Sequence, residues 1–424
     1  MKAKSQILKY LGPGILFAST AIGVSHLVQS TMAGAMYGFA LVWAIVAANL
    51  FKYPAFEFGS RYANSAGESI ITGYRKLGKW MIWAYLFITL GSMFFVTSAV
   101  GAVTSGFLEN LLGLPELLGE NSQSITLISL FIFCMGILIA GKYSALDSLI
   151  KVIAVLLLIS TVIAVLAALA QGPQRSISHT WKPEIPWSNG GFAFLIALMG
   201  WMPTAVDLSA WSSLWTIARI KQTGYKPKLK ETLLDFNLGY IASFILAIAF
   251  VVLGSYMFFG TEKELPAAAA SFANMVVNMY SSLIGDWAYI IIAIAAFSIM
   301  FGTCIAVFDG YSRALATTIQ VIRGRNENES SPKHHSIVLI LLTLGSLYIV
   351  FSFGKSMKGL INMATILSFV VAPIIAYANL ILVTKHINEE DRPKKWLTIL
   401  AWCGFSFLLI FSIIYLWALI SGKM

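Results

Sequence analysis

Charge is what this sequence has least of. Asp, Glu, Lys and Arg together make up 11% of its 424 residues, where a soluble domain carries about 25%. Hydrophobic residues reach 58%, against roughly 45–50% in soluble chains. So little charge excludes an ordinary soluble domain and places the chain in a bilayer. Cysteine is also scarce: Cys134, Cys304 and Cys403 are the three present, each inside an apolar run. With no CxxC spacing and no His cluster beside them, they exclude a disulfide framework and a zinc site, and read as buried, inert thiols. The sequence also lacks HExxH, GxSxG and paired Asp residues on facing spans, so neither an enzyme nor a cofactor is expected. Acidic residues are fewer than basic ones, 19 against 29, giving a net charge of +10. The basic residues form short clusters between apolar runs, which is the pattern of a topology signal and not of a nucleic-acid surface.

Long apolar runs are what the chain has in abundance. A membrane helix needs about 20 such residues, and eleven spans can be marked off, at about 12–37, 39–60, 79–111, 124–141, 147–170, 191–218, 234–260, 280–312, 335–353, 359–384 and 396–421. An N-terminus on the cytoplasmic side gives that side most of the 29 Lys and Arg, as the positive-inside rule requires. This implies a multi-pass protein of the plasma (inner) membrane with its C-terminus outside. The polar stretches 326–332 and 388–393 then read as solvated cytoplasmic loops. Leftover sequence for a soluble domain is absent, so one transmembrane domain is expected over 1–424.

Two spans contain interruptions. The first runs Thr20-Ala-Ile-Gly23-Val-Ser25-His26, with a flexible glycine among polar groups. The sixth runs Gly200-Trp201-Met202-Pro203-Thr204-Ala205, where proline removes a helix hydrogen bond and disfavours helical geometry at the residue before it. Broken backbone within a membrane is tolerated where it lines a cavity. Breaks in spans one and six occupy corresponding places if the first ten spans form two halves of five. The expected fold class is therefore an all-α polytopic membrane protein built as an inverted repeat. Repeat one covers about 12–170, repeat two about 191–384, and an eleventh helix covers about 396–421. Paired broken helices in such repeats form the substrate site of a secondary transporter.

Each break is followed by an ionisable residue, His26 after the first and Asp207 after the second. A charge inside a span is costly and marks a candidate functional site. Imidazole and carboxylate together suit cation coordination, mutual pairing or proton exchange; the plainer reading is a buried pair that links the two broken helices. Met202 offers a thioether to a softer metal, and Ser25 and Thr204 offer hydroxyls. The candidate substrate-binding set is thus Gly23, Ser25, His26, Met199, Met202, Thr204 and Asp207, with His26, Met202 and Asp207 as candidate metal ligands and His26 and Asp207 as candidates for proton coupling. Lys52 with Glu57, Asp147 with Lys151, and Asp309 with Arg313 are close enough along their helices to form ion pairs.

The sequence resembles the NRAMP family of proton-coupled divalent metal transporters. The matching residues are Gly12-Pro13-Gly14, Ala33-Gly34-Ala35-Met-Tyr37-Gly38, Arg61-Tyr-Ala-Asn-Ser-Ala-Gly67-Glu68 and Met202-Pro203. The resemblance covers essentially the whole chain and implies a LeuT-like fold and alternating access. Where the family's first-helix motif Asp-Pro-Gly-Asn stands, this chain has Gly23-Val24-Ser25-His26, so the metal-binding Asp is missing. The family's Met-Pro-His becomes Met202-Pro203-Thr204, its next His aligns with Ser209, and its third-helix acids are absent from Phe94–Gly101. Hard and borderline dications favour carboxylate oxygens. Two substrate classes therefore stay open: a divalent cation held by a rebuilt His26, Met202 and Asp207 site, and a small polar or organic solute. A non-transporting membrane sensor is a third reading, although a sensor needs an output domain. Beyond the substrate, the partners expected are the lipid bilayer and protons as coupling ion, with no nucleic acid.

Overall fold

The structure is a computed structural model describing residues 10–140, 143–174, 185–187, 189–261, 265–325, 332–353 and 356–421. The expected loop at 326–332 lies almost wholly outside them, and so do the Asp147 and Lys151 side chains. Among the described residues all regular structure is helical. The first span is α1 (Pro13–Ala21) followed by α2 (Ser25–Tyr37), bent by 43° at the break. After it come α3 (Val42–Ala66), a short α4 (Ile70–Tyr74), α5 (Lys79–Leu112), α6 (Ser122–Ile139) and α7 (Tyr143–Gln171). The second half opens with the broken pair α8 (Asn189–Gly200) and α9 (Leu208–Thr223). It continues with α10 (Leu229–Phe258), α11 (Ala269–Ile284), α12 (Tyr289–Ile322), α13 (Pro332–Ser352) and α14 (Met357–Lys385), and ends with α15 (Lys395–Ile420).

Seven of the described helical segments are long and apolar enough to cross a membrane, eight when the bent α1–α2 pair counts as one. Their outward faces carry large apolar side chains such as Phe87, Ile132 and Ile420, a surface that lipid and not water would cover. By contrast, α3 turns Asn49, Lys52, Glu57 and Arg61 inward as buried residues. The expected spans shift by about five residues at several ends and most at the eighth, which begins at Tyr289 instead of 280 and ends at Ile322 instead of 312. Gly285, with φ of +129°, ends α11 in a conformation that side chains disfavour, so the apolar run is cut into two helices.

Close packing of the first span on α10 explains the Gly12-Pro13-Gly14 sequence. A Cβ at Gly14 would lie 2.0 Å from the Asp235 carbonyl oxygen, and one at Gly239 would lie 2.0 Å from the Gly14 carbonyl oxygen. Further along, Gly34 and Gly254 repeat this contact against Val251 and Thr31. Small residues that let helix backbones touch are the usual adhesive of membrane helices. The Asp235 carboxylate also accepts from the amides of Gly12 at 3.2 Å and Gly14 at 2.6 Å, satisfying two of the free donors at the start of α1.

Three further expectations concern side-chain partners. Asp309 and Arg313 pair as expected, at 2.7 Å. Lys52 and Glu57 do not pair: Glu57 is held by Arg61 one turn along α3, and Lys52 points elsewhere. Cys134 and Cys304 are buried free thiols, whereas Cys403 is exposed, on the outer face of α15.

Candidate substrate site

The breaks at Ile22–Val24 and Trp201–Asp207 face each other. Gly23 is needed at the first because a Cβ there would come 2.8 Å from the Thr303 side chain on α12. Beyond it, α2 opens as a π-helix over Ser25–Ser30, a widened turn often found at functional sites. At the second break the Met202–Pro203 peptide is cis. The two breaks touch where Ser25 Oγ lies 3.2 Å from the Pro203 carbonyl oxygen.

Between them is a narrow cavity of about 30 Å³, room for roughly two water molecules, so the two breaks lie nearly closed on each other. The first span contributes Thr20, Val24 and Ser25, and the sixth contributes Trp201, Thr204, Ala205, Leu208 and Trp211. Val96 and Val100 come from α5, and Thr303, Val307 and Tyr311 from α12. Hydroxyls, indoles and branched aliphatic groups make up this lining; Asp, Glu, His, Lys and Arg are not part of it. The Trp201 Nε1–H donates to Ser368 Oγ at 3.0 Å. Trp211 Nε1 is buried with no partner, leaving a donor unused beside the cavity.

Of the residues singled out in the sequence, Ser25 and Thr204 line the cavity and Gly23 abuts it through Thr303. His26 is turned away, towards α10. Its Nε2–H donates to the Ser243 carbonyl at 2.9 Å, while its Nδ1 lies 2.7 Å from Ser25 Oγ. Asp207 faces α12, where Oδ2 accepts from the Tyr311 hydroxyl at 3.0 Å. The Met202 sulfur accepts from Ser30 Oγ at 3.9 Å. His26 and Asp207 thus have separate partners, and among the described residues no group of three or more His, Cys, Asp or Glu is placed to hold a metal. Met199 enters through its backbone, whose carbonyl is occupied by Lys52.

Tyr311, Trp201 and Trp211 are the residues that sequence reasoning passed over, while Lys52 was read only as an ion-pair partner of Glu57. Lys52 did leave a signal, as a lysine inside an apolar span. The aromatics left none, because Trp and Tyr are common throughout the chain and only the third dimension shows which of them meet at the breaks.

Comparison with known proteins agrees with this architecture. A family model described as natural resistance-associated macrophage protein-like matches residues 14–418. An uncharacterised protein of Pasteurella multocida (strain Pm70) is 38% identical over 407 residues, covering 96% of this chain and 91% of that one. Among solved structures, the Eremococcus coleocola manganese transporter superposes with a TM-score of 0.70 at 13% identity, covering 97% of this chain and 86% of that one. MhsT in complex with L-phenylalanine superposes at 0.61 with 12% identity, covering 95% and 97%. Match, relatives and broken-helix architecture agree: the chain belongs to the natural resistance-associated macrophage protein-like (Nramp) family and is a transporter with a LeuT-like fold.

Proposed function

We propose that this Nramp-family protein carries a small, neutral organic solute across the membrane by alternating access, binding it in the cavity between the two breaks. The observation that carries this reading is the lining itself, which offers hydroxyls, indoles and aliphatic surface without an Asp, Glu, His, Lys or Arg side chain. A dehydrated dication needs anionic oxygens to offset its charge. A neutral solute needs a few hydrogen-bonding groups among apolar walls, which the Thr20, Ser25 and Thr204 hydroxyls supply. MhsT, crystallised with L-phenylalanine, has the same fold around an organic molecule.

A divalent cation is the second reading, favoured by family membership and by the similarity to a manganese transporter. It would require His26 and Asp207 to leave Ser243 and Tyr311 and converge with Met202. For proton coupling Asp207 is the better placed of the two candidates, since Tyr311 joins its carboxylate to the cavity wall. The distribution of Lys and Arg supports a cytoplasmic N-terminus in the plasma membrane.

Thermal unfolding of the purified protein against a panel of neutral amides, nucleobases and polyols tests the proposal, followed by uptake of any stabilising solute into proteoliposomes. A saturable rise in Tm and saturable uptake by one such class are expected. Absence of both, together with saturable uptake of a divalent ion, would overturn it.

A further inference from the structure

Lys52 lies on α3, outside the cavity, and its side chain is wholly buried. Its Nζ is 2.6 Å from the Met199 carbonyl oxygen, 2.8 Å from that of Gly200 and 3.3 Å from that of Thr204. These carbonyls belong to the last residues of α8 and to the break that follows. The final carbonyls of a helix have no partner within it and form the negative end of its dipole. In transporters with broken helices such ends coordinate cations. An ammonium has three N–H donors and no acceptor, and here three carbonyls meet them, so donor number and acceptor number match. Among the described residues no ion pair joins Lys52 to a carboxylate. Asp207, across the break, acts on it only through its longer-range field. The arrangement is that of a coordinated cation attached to a four-carbon stem.

We propose that Lys52 is a tethered cation: its ammonium permanently fills a cation site built from the carbonyls of Met199, Gly200 and Thr204, so no metal or alkali ion binds there. Removing the side chain opens that site to a free alkylammonium or alkali ion. The inference concerns the end of α8 and stands whichever solute the cavity takes. It also gives Lys52 a part in specificity, because a carbonyl already committed to an ammonium cannot serve a metal ion.

Chemical rescue tests it. Lys52→Ala and Lys52→Met are purified beside the wild type, and Tm is measured in ethylammonium, Na+ or tetramethylammonium at one ionic strength. Both variants are expected to have a lower Tm than the wild type. Lys52→Ala regains several degrees, saturably, in ethylammonium or Na+ but not in the bulkier tetramethylammonium, as binding linkage requires. Lys52→Met, whose own chain fills the path of the stem, does not recover. If Lys52→Ala fails to survive extraction, the yield of monodisperse protein extracted in each of the three cations gives the same comparison. Equal Tm, or equal yield, of Lys52→Ala in all three cations would show that Lys52 caps a helix and fills no cation site, overturning the proposal.

Discussion

His26 Nε2 lies 2.9 Å from the carbonyl oxygen of Ser243, on the stretch of α10 between Gly239 and Gly254 where the first span packs backbone against backbone. Ser25 occupies its other ring nitrogen at 2.7 Å. The imidazole fastens the broken first span to α10 and leaves no free ring nitrogen for a metal. His26→Ala is therefore expected to act mainly on stability. It removes the hydrogen bond that ties the first span to α10 and opens a void, and a lost hydrogen bond alone costs about 0.5–1.5 kcal/mol. Thermal unfolding should show a lower Tm, while protein that remains folded should bind the stabilising solute with unchanged affinity.

The contacts at Gly14 and Gly239 leave no room for a methyl group. Gly14→Ala or Gly239→Ala would force the two helices apart, at a cost of about 1–3 kcal/mol or more for overpacking. The yield of monodisperse protein after extraction should drop sharply for either variant. Gly136→Ala is the control: nothing lies within 4 Å of a Cβ there, and alanine favours a helix over glycine by roughly 1 kcal/mol.

Glu57 is 2% exposed as a side chain and relies on Arg61 for its charge partner. Arg61 in turn donates to the Asp391 carbonyl at 2.6 Å, tying α3 to the loop before α15. Removing one member of a buried ion pair costs about 3–5 kcal/mol, because the other charge is left uncompensated. Arg61→Met should therefore lower Tm more than the double variant Glu57→Gln with Arg61→Met, and a double-mutant cycle on Tm measures the difference.

Val100 points from α5 into the cavity. Val100→Phe should overfill that space, at a cost of about 1–3 kcal/mol for overpacking. Solute uptake should disappear in the protein that remains folded, with Tm below that of the wild type. Retained uptake would place the transport path elsewhere.

Much of the fold was legible because its signals are local. Each span is a run of apolar residues, and the Pro203 break is written into the chain by proline chemistry. The glycines that seat α1 and α2 on α10 were visible as a motif, although their purpose is visible only from the facing carbonyls. The site was less legible. His26 and Asp207 were rightly noticed as buried ionisable groups, but sequence gives no direction to a side chain, and in space they turn to opposite neighbours. Lys52 was assigned to Glu57 by its spacing along α3, a local rule overruled by the carbonyls at the end of α8, 147 residues away. The start of the eighth span shifted for a similar reason, since Gly285 falls within an apolar stretch and composition does not register its backbone conformation.

Manganese uptake into proteoliposomes, wild type against protein-free vesicles, tests the central claim most directly. The structure predicts no saturable uptake above the vesicle background, because neither the cavity wall nor the end of α8 offers a dication its anionic oxygens. Saturable manganese uptake abolished by His26→Ala or Asp207→Ala in folded protein would contradict that account and establish a metal site that forms when both side chains leave their present partners.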